Sequence, residues 1–264
     1  MSGGRALVTG AGDRLGAAMA LELGRMGHDV AVHYATSSEG AEAVAAEIAA
    51  MGRRSATLQA DLLDLDEAGA LVGRASDALG GPLTVLVNSA SIFEHDTIGT
   101  MTAESWDRAL GSNLRAPVIL TQAFAAQAPD PEMDPEPRAG ACVVNLIDQR
   151  VRKLTPAFMS YTLAKSALWT FTRTAAQGLA PKVRVNAIGP GPTLKATRQS
   201  EAHFAAQRSA CPLGRGANPD DITGALRFLI GAPAVTGQLI CVDGGQHLAW
   251  QTPDVIGPDG GMTG

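Results

Sequence analysis

Cysteine is scarce in this chain. Three occur among 264 residues, Cys142, Cys211 and Cys241, and none stands at metal-type spacing from another or from a histidine. A disulfide framework is therefore excluded, and free thiols in a reducing cytoplasm, with no metal site, are expected. Aromatic residues make up only 4% of the sequence. The interior must then be built from Ala, Val, Leu and Gly, which suits helices packed closely on a parallel sheet. No Lys/Arg run occurs and the net charge is -5, which argues against nucleic acid or an anionic membrane as a partner. No stretch reaches the roughly 18 apolar residues of a membrane span. From Met1 the chain runs into a strand and a glycine turn without a charged segment and apolar core, so no signal peptide is expected.

What the sequence does hold is alternation. Short apolar, β-branched runs at Arg5–Thr9, Asp29–Tyr34, Ser55–Gln59, Leu83–Val87, Ala141–Leu146, Val183–Ile188 and Gln238–Val242 read as seven strands buried on both faces. Helical periodicity fills the intervals at Leu15–Met26, Glu39–Met51, Glu67–Leu79, Glu104–Gln127, Ala157–Leu179 and Pro219–Leu229. Right-handed βαβ crossovers follow, and with them a doubly wound α/β domain of the Rossmann type with a seven-stranded, mostly parallel sheet. No linker or repeat divides the chain. One domain is expected over residues 1–250, followed by a Gly/Pro-rich tail over 251–264 that could pack on a neighbouring subunit. Ala128–Gly140, rich in Pro and acids, reads as an exposed connection. Gly191–Gly216 is long and weakly periodic and lies at the carboxyl edge of the sheet, where such folds bind ligands, so it reads as a loop covering the substrate.

The first strand ends in Thr9-Gly10-Ala11-Gly12-Asp13-Arg14-Leu15-Gly16, and a helix follows at once. Glycines let the backbone turn sharply and approach a pyrophosphate, and the helix N-terminus offers its unpaired N–H groups to the phosphates. Arg14, a cation in a first helical turn, opposes the macrodipole unless an anion sits there. It is expected on phosphate or substrate. At the end of the second strand, His33, Tyr34, Ala35, Thr36, Ser37 and Ser38 precede the first acid, Glu39. A carboxylate there would accept from a ribose 2′-OH, whereas neutral donors accommodate a 2′-phosphate, so NADPH is favoured over NADH. Asp61, after the third strand, is expected to accept from the adenine amino group. Asn88, ending the fourth, is expected to satisfy backbone groups at the sheet edge beside the cofactor.

Tyr161-Thr162-Leu163-Ala164-Lys165 places a phenol and an ammonium on one helix face, in a helix that Thr155-Pro156 is expected to open. The ammonium is expected to lower the phenol pKa, and Lys165 to hold ribose hydroxyls.

Taken together, these residues resemble the short-chain dehydrogenase/reductase family over nearly the whole chain. The resemblance runs from the Thr9–Gly16 turn through Asn88, Asn113, Tyr161 and Lys165 to Pro190-Gly191 and Val242-Asp243-Gly244-Gly245. It implies that Tyr161 donates a proton, that Lys165 tunes it and that Asn113 holds a relay water. A cofactor site made by Gly10, Arg14, Leu15, Gly16, His33, Tyr34, Thr36, Ser37, Asp61, Leu62, Asn88, Ala90, Tyr161, Lys165, Pro190 and Gly191 is also implied. So is a homo-oligomer, tetramer or dimer. Two positions depart from the family pattern. Asp148 replaces the Ser that donates to a substrate carbonyl, and Arg14 replaces the middle glycine of the turn. Both changes, with Asn88-Ser89-Ala90-Ser91-Ile92-Phe93, are similar to the pteridine reductase and dihydromonapterin reductase branch. That resemblance implies Phe93 as a platform for a pterin ring and Arg14, Ser91, Asp148 and Tyr161 as substrate contacts. An ionised Asp148 cannot donate to a developing oxyanion but suits a substrate whose nitrogen is to be protonated. Reduction of a C=N bond in a dihydropterin- or folate-like substrate is the leading expectation. A ketone reductase is the alternative, and a non-catalytic NADP-binding protein the third.

Overall fold

The computed structural model describes residues 3–196 and 199–252. The tail from 253 onward lies outside the described residues, as do Thr197 and Arg198 within the expected substrate loop.

Seven strands form one sheet: β1 (Arg5–Val8), β2 (Asp29–Tyr34), β3 (Ser55–Gln59), β4 (Val85–Asn88), β5 (Ala141–Leu146), β6 (Val183–Pro190) and β7 (Leu239–Val242). Their order is β3-β2-β1-β4-β5-β6-β7, and every pairing is parallel, so "mostly parallel" becomes wholly parallel here. The order reverses between β1 and β4. At such a switch point the loops leaving the two strands diverge and open a crevice at their carboxyl ends. Val8 pairs with Val32 and Val87, and Asn88 with Asn145, which aligns those carboxyl ends.

Helices cover both faces. Helices α1 (Arg14–Arg25), α2 (Ser38–Ala50) and α8 (Pro219–Gly231) pack on one. Met19, Leu23, Ile48 and Leu226 there meet Val8, Val32 and Val87 of the strands. On the other face lie α3 (Leu65–Leu79), α5 (Ala116–Gln127) and α6 (Met159–Leu179). Their Leu71, Val72, Leu120 and Phe124 meet Leu7, Ala31, Leu86 and Val143. Leu7 and Val8 thus feed opposite cores, as the two-residue period of a strand requires.

Several boundaries differ from the sequence expectation. The expected helix Glu104–Gln127 is α4 (Ala103–Leu110), a π-helical turn over Gly111–Arg115, and then α5. Pro117 is the cause to hand: it has no N–H to give Asn113's carbonyl, four residues back, and its ring crowds that carbonyl. Thr155-Pro156 does not open α6. The helix starts at Met159 after Phe158, whose backbone is left-handed at φ 60°. Asp96, from a distant loop, takes over its capping: its carbonyl accepts from Phe158 N–H at 2.8 Å and its carboxylate from Ser160 N–H and Oγ. The 191–216 segment is not structureless, since α7 (Glu201–Ser209) forms within it, N-capped by Ser200. Ala128–Gly140 carries a small antiparallel ladder between Glu132–Met133 and Pro137–Arg138.

Candidate active site

The crevice at the switch point holds two adjoining chambers. The first, of about 360 Å³, is lined by the turn residues Gly10, Asp13, Arg14, Leu15 and Gly16. Ser89, Ala90, Ser91 and Phe93 follow β4, Asp148 follows β5, Tyr161 and Lys165 come from α6, and Pro190, Gly191 and Leu194 close the far side. The second, of about 580 Å³, shares Gly10, Asp13, Ala90 and Ser91 with it. It continues past His33, Tyr34, Thr36, Ser37, Asp61 and Leu62. Of the sixteen residues named on sequence grounds as cofactor contacts, all but Asn88, which sits behind it, line this one groove.

Packing explains the turn. A Cβ at Gly16 would lie 2.0 Å from the Gly10 carbonyl oxygen, and one at Gly10 would lie 2.9 Å from Ala90 Cα. Both contacts are with backbone, so neither can be relieved by a side chain moving. Asp13 caps α1, accepting from Arg14 N–H at 2.7 Å. Arg14 itself has φ 54°, a left-handed conformation that costs a non-glycine residue about 1 kcal/mol. Its guanidinium is held by main-chain carbonyls. It donates to the carbonyls of Leu194 and Lys195, both at 3.0 Å, and ties the phosphate turn to the segment after β6.

His33 also differs from expectation. It is buried, its Nδ1 accepts from Gly10 N–H at 3.0 Å, and its Nε2 lies 3.1 Å from the Ala60 carbonyl, to which it donates. The ring braces the glycine turn and offers no donor to a phosphate. Burial lowers its pKa, so it stays neutral. Thr36 and Ser37 are left as the exposed neutral donors at the end of β2. Asp61 Oδ1 accepts from Leu63 N–H at 2.9 Å, which sets the turn before α3. Asn88 Nδ2 donates to Asn145 Oδ1 at 2.8 Å and to Thr121 Oγ1 at 3.4 Å, so it serves side chains rather than the expected backbone groups. Its Oδ1 is buried without a partner among the described residues.

Two features escaped the sequence reading. Thr9 Oγ1 accepts from Ser89 and Ala90 N–H, at 2.9 and 3.0 Å, and fixes the loop leaving β4. Asn145 extends the Asn88 contact to Thr172 Oγ1 at 2.9 Å, so a polar ladder crosses the sheet beneath the site. An asparagine inside the apolar run Ala141–Leu146 was the available signal, since a buried amide must find partners.

At the other end of the first chamber lies the titratable cluster. Tyr161 hydroxyl donates to Asp148 Oδ2 at 3.1 Å. Asp148 Oδ1 accepts from Arg150 N–H at 2.8 Å, at the start of a one-turn 3₁₀ helix, Gln149–Val151, which orients the carboxylate. Lys165 Nζ donates to the Leu146 carbonyl at 2.8 Å and lies 5.6 Å from the Tyr161 ring centroid. Tyr161 is 6% exposed and Lys165 2%. Burial dominates each titration. It raises the Asp148 pKa, partly opposed by the Arg150 N–H, and lowers Lys165 to about 8. Tyr161 is pushed well above the usual phenol range, first by burial and then by the charge and hydrogen bond of Asp148. This corrects the expectation that Lys165 depresses it. The carboxylate and the low-polarity surroundings prevail, and the phenol keeps its proton.

Asn113 is fully buried in the π turn. Its side chain is engaged: Oδ1 accepts from Ser91 Oγ at 2.7 Å, and Nδ2 donates to the carbonyls of Ile92 and Ala109. It orders the loop that carries Ser91 and Phe93. Phe93 is 37% exposed, not a core residue. Its ring stands edge-on to Tyr161 at 4.6 Å and stacks on Phe158 at 4.4 Å. Among the described residues no group of three or more His, Cys, Asp or Glu could hold a metal, and no helix is long and apolar enough to cross a membrane.

A doubly wound parallel sheet with a glycine turn at one side of its switch point and a Tyr–Lys pair at the other defines an oxidoreductase architecture. The chain belongs to the short-chain dehydrogenase/reductase family: the profile described as "Enoyl-(Acyl carrier protein) reductase" matches residues 10–247. Among solved structures it is similar to FolM Alternative dihydrofolate reductase 1 of Brucella canis complexed with NADP, at 43% identity and TM-score 0.88. The match covers 95% of this chain and 96% of that one. The same-named protein of Brucella suis, in complex with NADP, is 44% identical with TM-score 0.88, over 95% and 97% of the two chains. Among curated proteins it is 34% identical to the 3-oxoacyl-[acyl-carrier-protein] reductase of a Synechocystis strain, over 91% of this chain and 95% of the relative.

Proposed function

We propose that the protein is an NADPH-dependent reductase of a C=N bond in a dihydropterin- or dihydrofolate-like substrate. The observation that carries this reading is the 3.1 Å hydrogen bond from Tyr161 to Asp148, a carboxylate where a ketone reductase needs a neutral hydroxyl donor. The Brucella proteins with the corresponding name, each crystallised with NADP, support it.

The residues present fit the dinucleotide. The two chambers, which share Gly10, Asp13, Ala90 and Ser91, together reach from Thr36 and Ser37 to Lys165. Lys165 gives one N–H to Leu146 and keeps two donors without an acceptor among the described residues. Thr36 and Ser37 would face the 2′-phosphate, the helix start at Gly16 the pyrophosphate, Asp61 and Leu62 the adenine, and Tyr161 and Lys165 the nicotinamide ribose. Pro190 and Gly191 would border the nicotinamide. When bound, the nicotinamide supplies the hydride that goes to carbon.

The chain's residues manage the proton that must reach nitrogen. Tyr161 stays protonated and Asp148 has a raised pKa, so together they hold a proton at the edge of the pocket. Phe93 would stack the substrate ring, and Ser91, ordered by Asn113, would contact it. The relay water expected at Asn113 would fall to its main-chain carbonyl, which Pro117 deprives of its ordinary helical donor. Arg14 would reach substrate or phosphate from its place at the mouth of the groove. We also read the protein as a soluble cytoplasmic homo-oligomer.

The relatives named as 3-oxoacyl-[acyl-carrier-protein] reductases favour a second reading, reduction of a ketone. Asp148→Ser separates the two. Turnover of a 7,8-dihydropterin with NADPH, followed by absorbance, is expected to fall about 100-fold or more while turnover of a β-ketoester is gained. Wild-type protein that ignores every dihydropterin and dihydrofolate but reduces the ketoester would reject the C=N reading.

A further inference from the structure

Past the reaction pocket lies a third chamber, of about 540 Å³, which Phe93 separates from the first. A path of side chains leads into it: Tyr161 to Phe93 at 4.6 Å, Phe93 to Phe158 at 4.4 Å, then the Arg150 guanidinium 5.1 Å from the Phe158 centroid. His95 stands edge-on to Phe158 at 4.9 Å, and Thr155, His203, Gln199 and Gln207 are among the other lining residues. Among its described lining residues there is no carboxylate, although the chain is acidic overall. Arg150 donates an Nη1–H to Thr155 Oγ1, while its Nε is buried without a partner among the described residues. A guanidinium keeps its charge at any working pH and presents donors in a fork that matches a carboxylate. The same 3₁₀ turn that orients Asp148 places Arg150, so the two sites are built as one unit.

We propose that this chamber is a substrate subsite for an aryl extension ending in a carboxylate, with the ring lying along Phe93 and Phe158 and Arg150 binding the anion. The proposal rests on the C=N reading above and narrows it: the preferred substrate is a conjugated, anionic folate-like molecule, not an unsubstituted dihydropterin.

Binding and turnover of 7,8-dihydrofolate and of a 7,8-dihydropterin are measured side by side. Calorimetry with NADP⁺ present reads binding, and absorbance with NADPH reads turnover, for wild type, Arg150→Lys and Arg150→Gln. The conjugated compound is expected to bind about 10- to 100-fold more tightly to wild type. Arg150→Gln is expected to erase that difference through Kd and KM, Arg150→Lys to restore part of it, and neither to change the dihydropterin Kd more than about threefold. A dihydrofolate diester with wild-type protein is expected to reproduce the loss without any mutation. Equal affinity for diester and diacid, or for dihydrofolate and the dihydropterin, overturns the subsite even if both compounds are reduced. Tight, Arg150-dependent binding of dihydrofolate with no turnover supports the subsite and overturns the reductase reading instead. Failure of both compounds to bind overturns both.

Discussion

The two ends of the groove are built on opposite principles. The phosphate end is a matter of backbone: Gly10 and Gly16 sit where any Cβ would strike main-chain atoms, and side chains such as His33 and Asp13 serve to hold the turn. The catalytic end is a matter of buried side chains. Tyr161, Asp148 and Lys165 touch or approach one another in surroundings dry enough to move all three pKa values. The phosphate end is thus of general dinucleotide-binding design, while under the function proposed above it is the identity of residue 148 that selects C=N over ketone chemistry.

The sharpest break in that contrast is Tyr161→Phe. It removes the donor without altering the turn, so kcat is expected to fall about 100- to 10,000-fold while the Kd for NADPH, from fluorescence titration, stays within about threefold. A parallel loss of cofactor affinity would blur the division.

Lys165 exposes the energetic side of the catalytic end. Its folded pKa of about 8 lies below the 10.5 of the unfolded chain. Between those values the unfolded state binds more protons, so stability rises with pH across that window and the burial penalty is fully present below pH 8. The penalty is about 3 kcal/mol at pH 7, and the lost bond to Leu146 offsets about 1 kcal/mol of any gain from removing it. Lys165→Met is thus expected to be inactive yet to melt about 4–8 °C higher at pH 7 without cofactor. The gain should shrink at pH 9.5. In wild type, kcat/KM is expected to fall as pH rises through about 8. A variant that melts lower at pH 7 would show that burial of the ammonium is not opposing the fold.

Gly16→Ala probes the phosphate end. With Cβ 2.0 Å from the Gly10 carbonyl, overpacking of about 1–3 kcal/mol is expected. It should read as a lower Tm and a weaker NADPH Kd, with the pH profile of the residual activity unmoved. A shifted profile would show the two ends to be coupled. Thr36→Asp is the mildest test. A carboxylate at the end of β2 should raise the NADPH Kd about tenfold and leave NADH binding level or improved; an unchanged preference would remove Thr36 from the 2′-phosphate site.

How far the site could be read in advance follows the same division. Tyr161 and Lys165 are one helical turn apart, so their proximity needed only the period of a helix. The Gly10–Gly16 turn needed only its place between a strand and a helix. Pro117 also stood in plain view inside the Glu104–Gln127 pattern, and the break at Gly111–Arg115 could have been read from it. By contrast, the hold of Arg14 on Leu194 and Lys195 spans some 180 residues, and the capping of α6 by Asp96 spans 64. Neither leaves a local trace.

Local chemistry and periodicity, then, determined the alternating strands and helices, the parallel sheet with its glycine turn, and the Tyr161–Lys165 pair. Each of these depends on neighbours within a turn or two of the chain. Folding alone decided that Asp148 meets the Tyr161 hydroxyl in a dry pocket, that the phenol is held protonated, and that Arg150 faces a separate aromatic chamber. Desolvation and contact between distant segments are properties of the packed interior, and no window of sequence contains them.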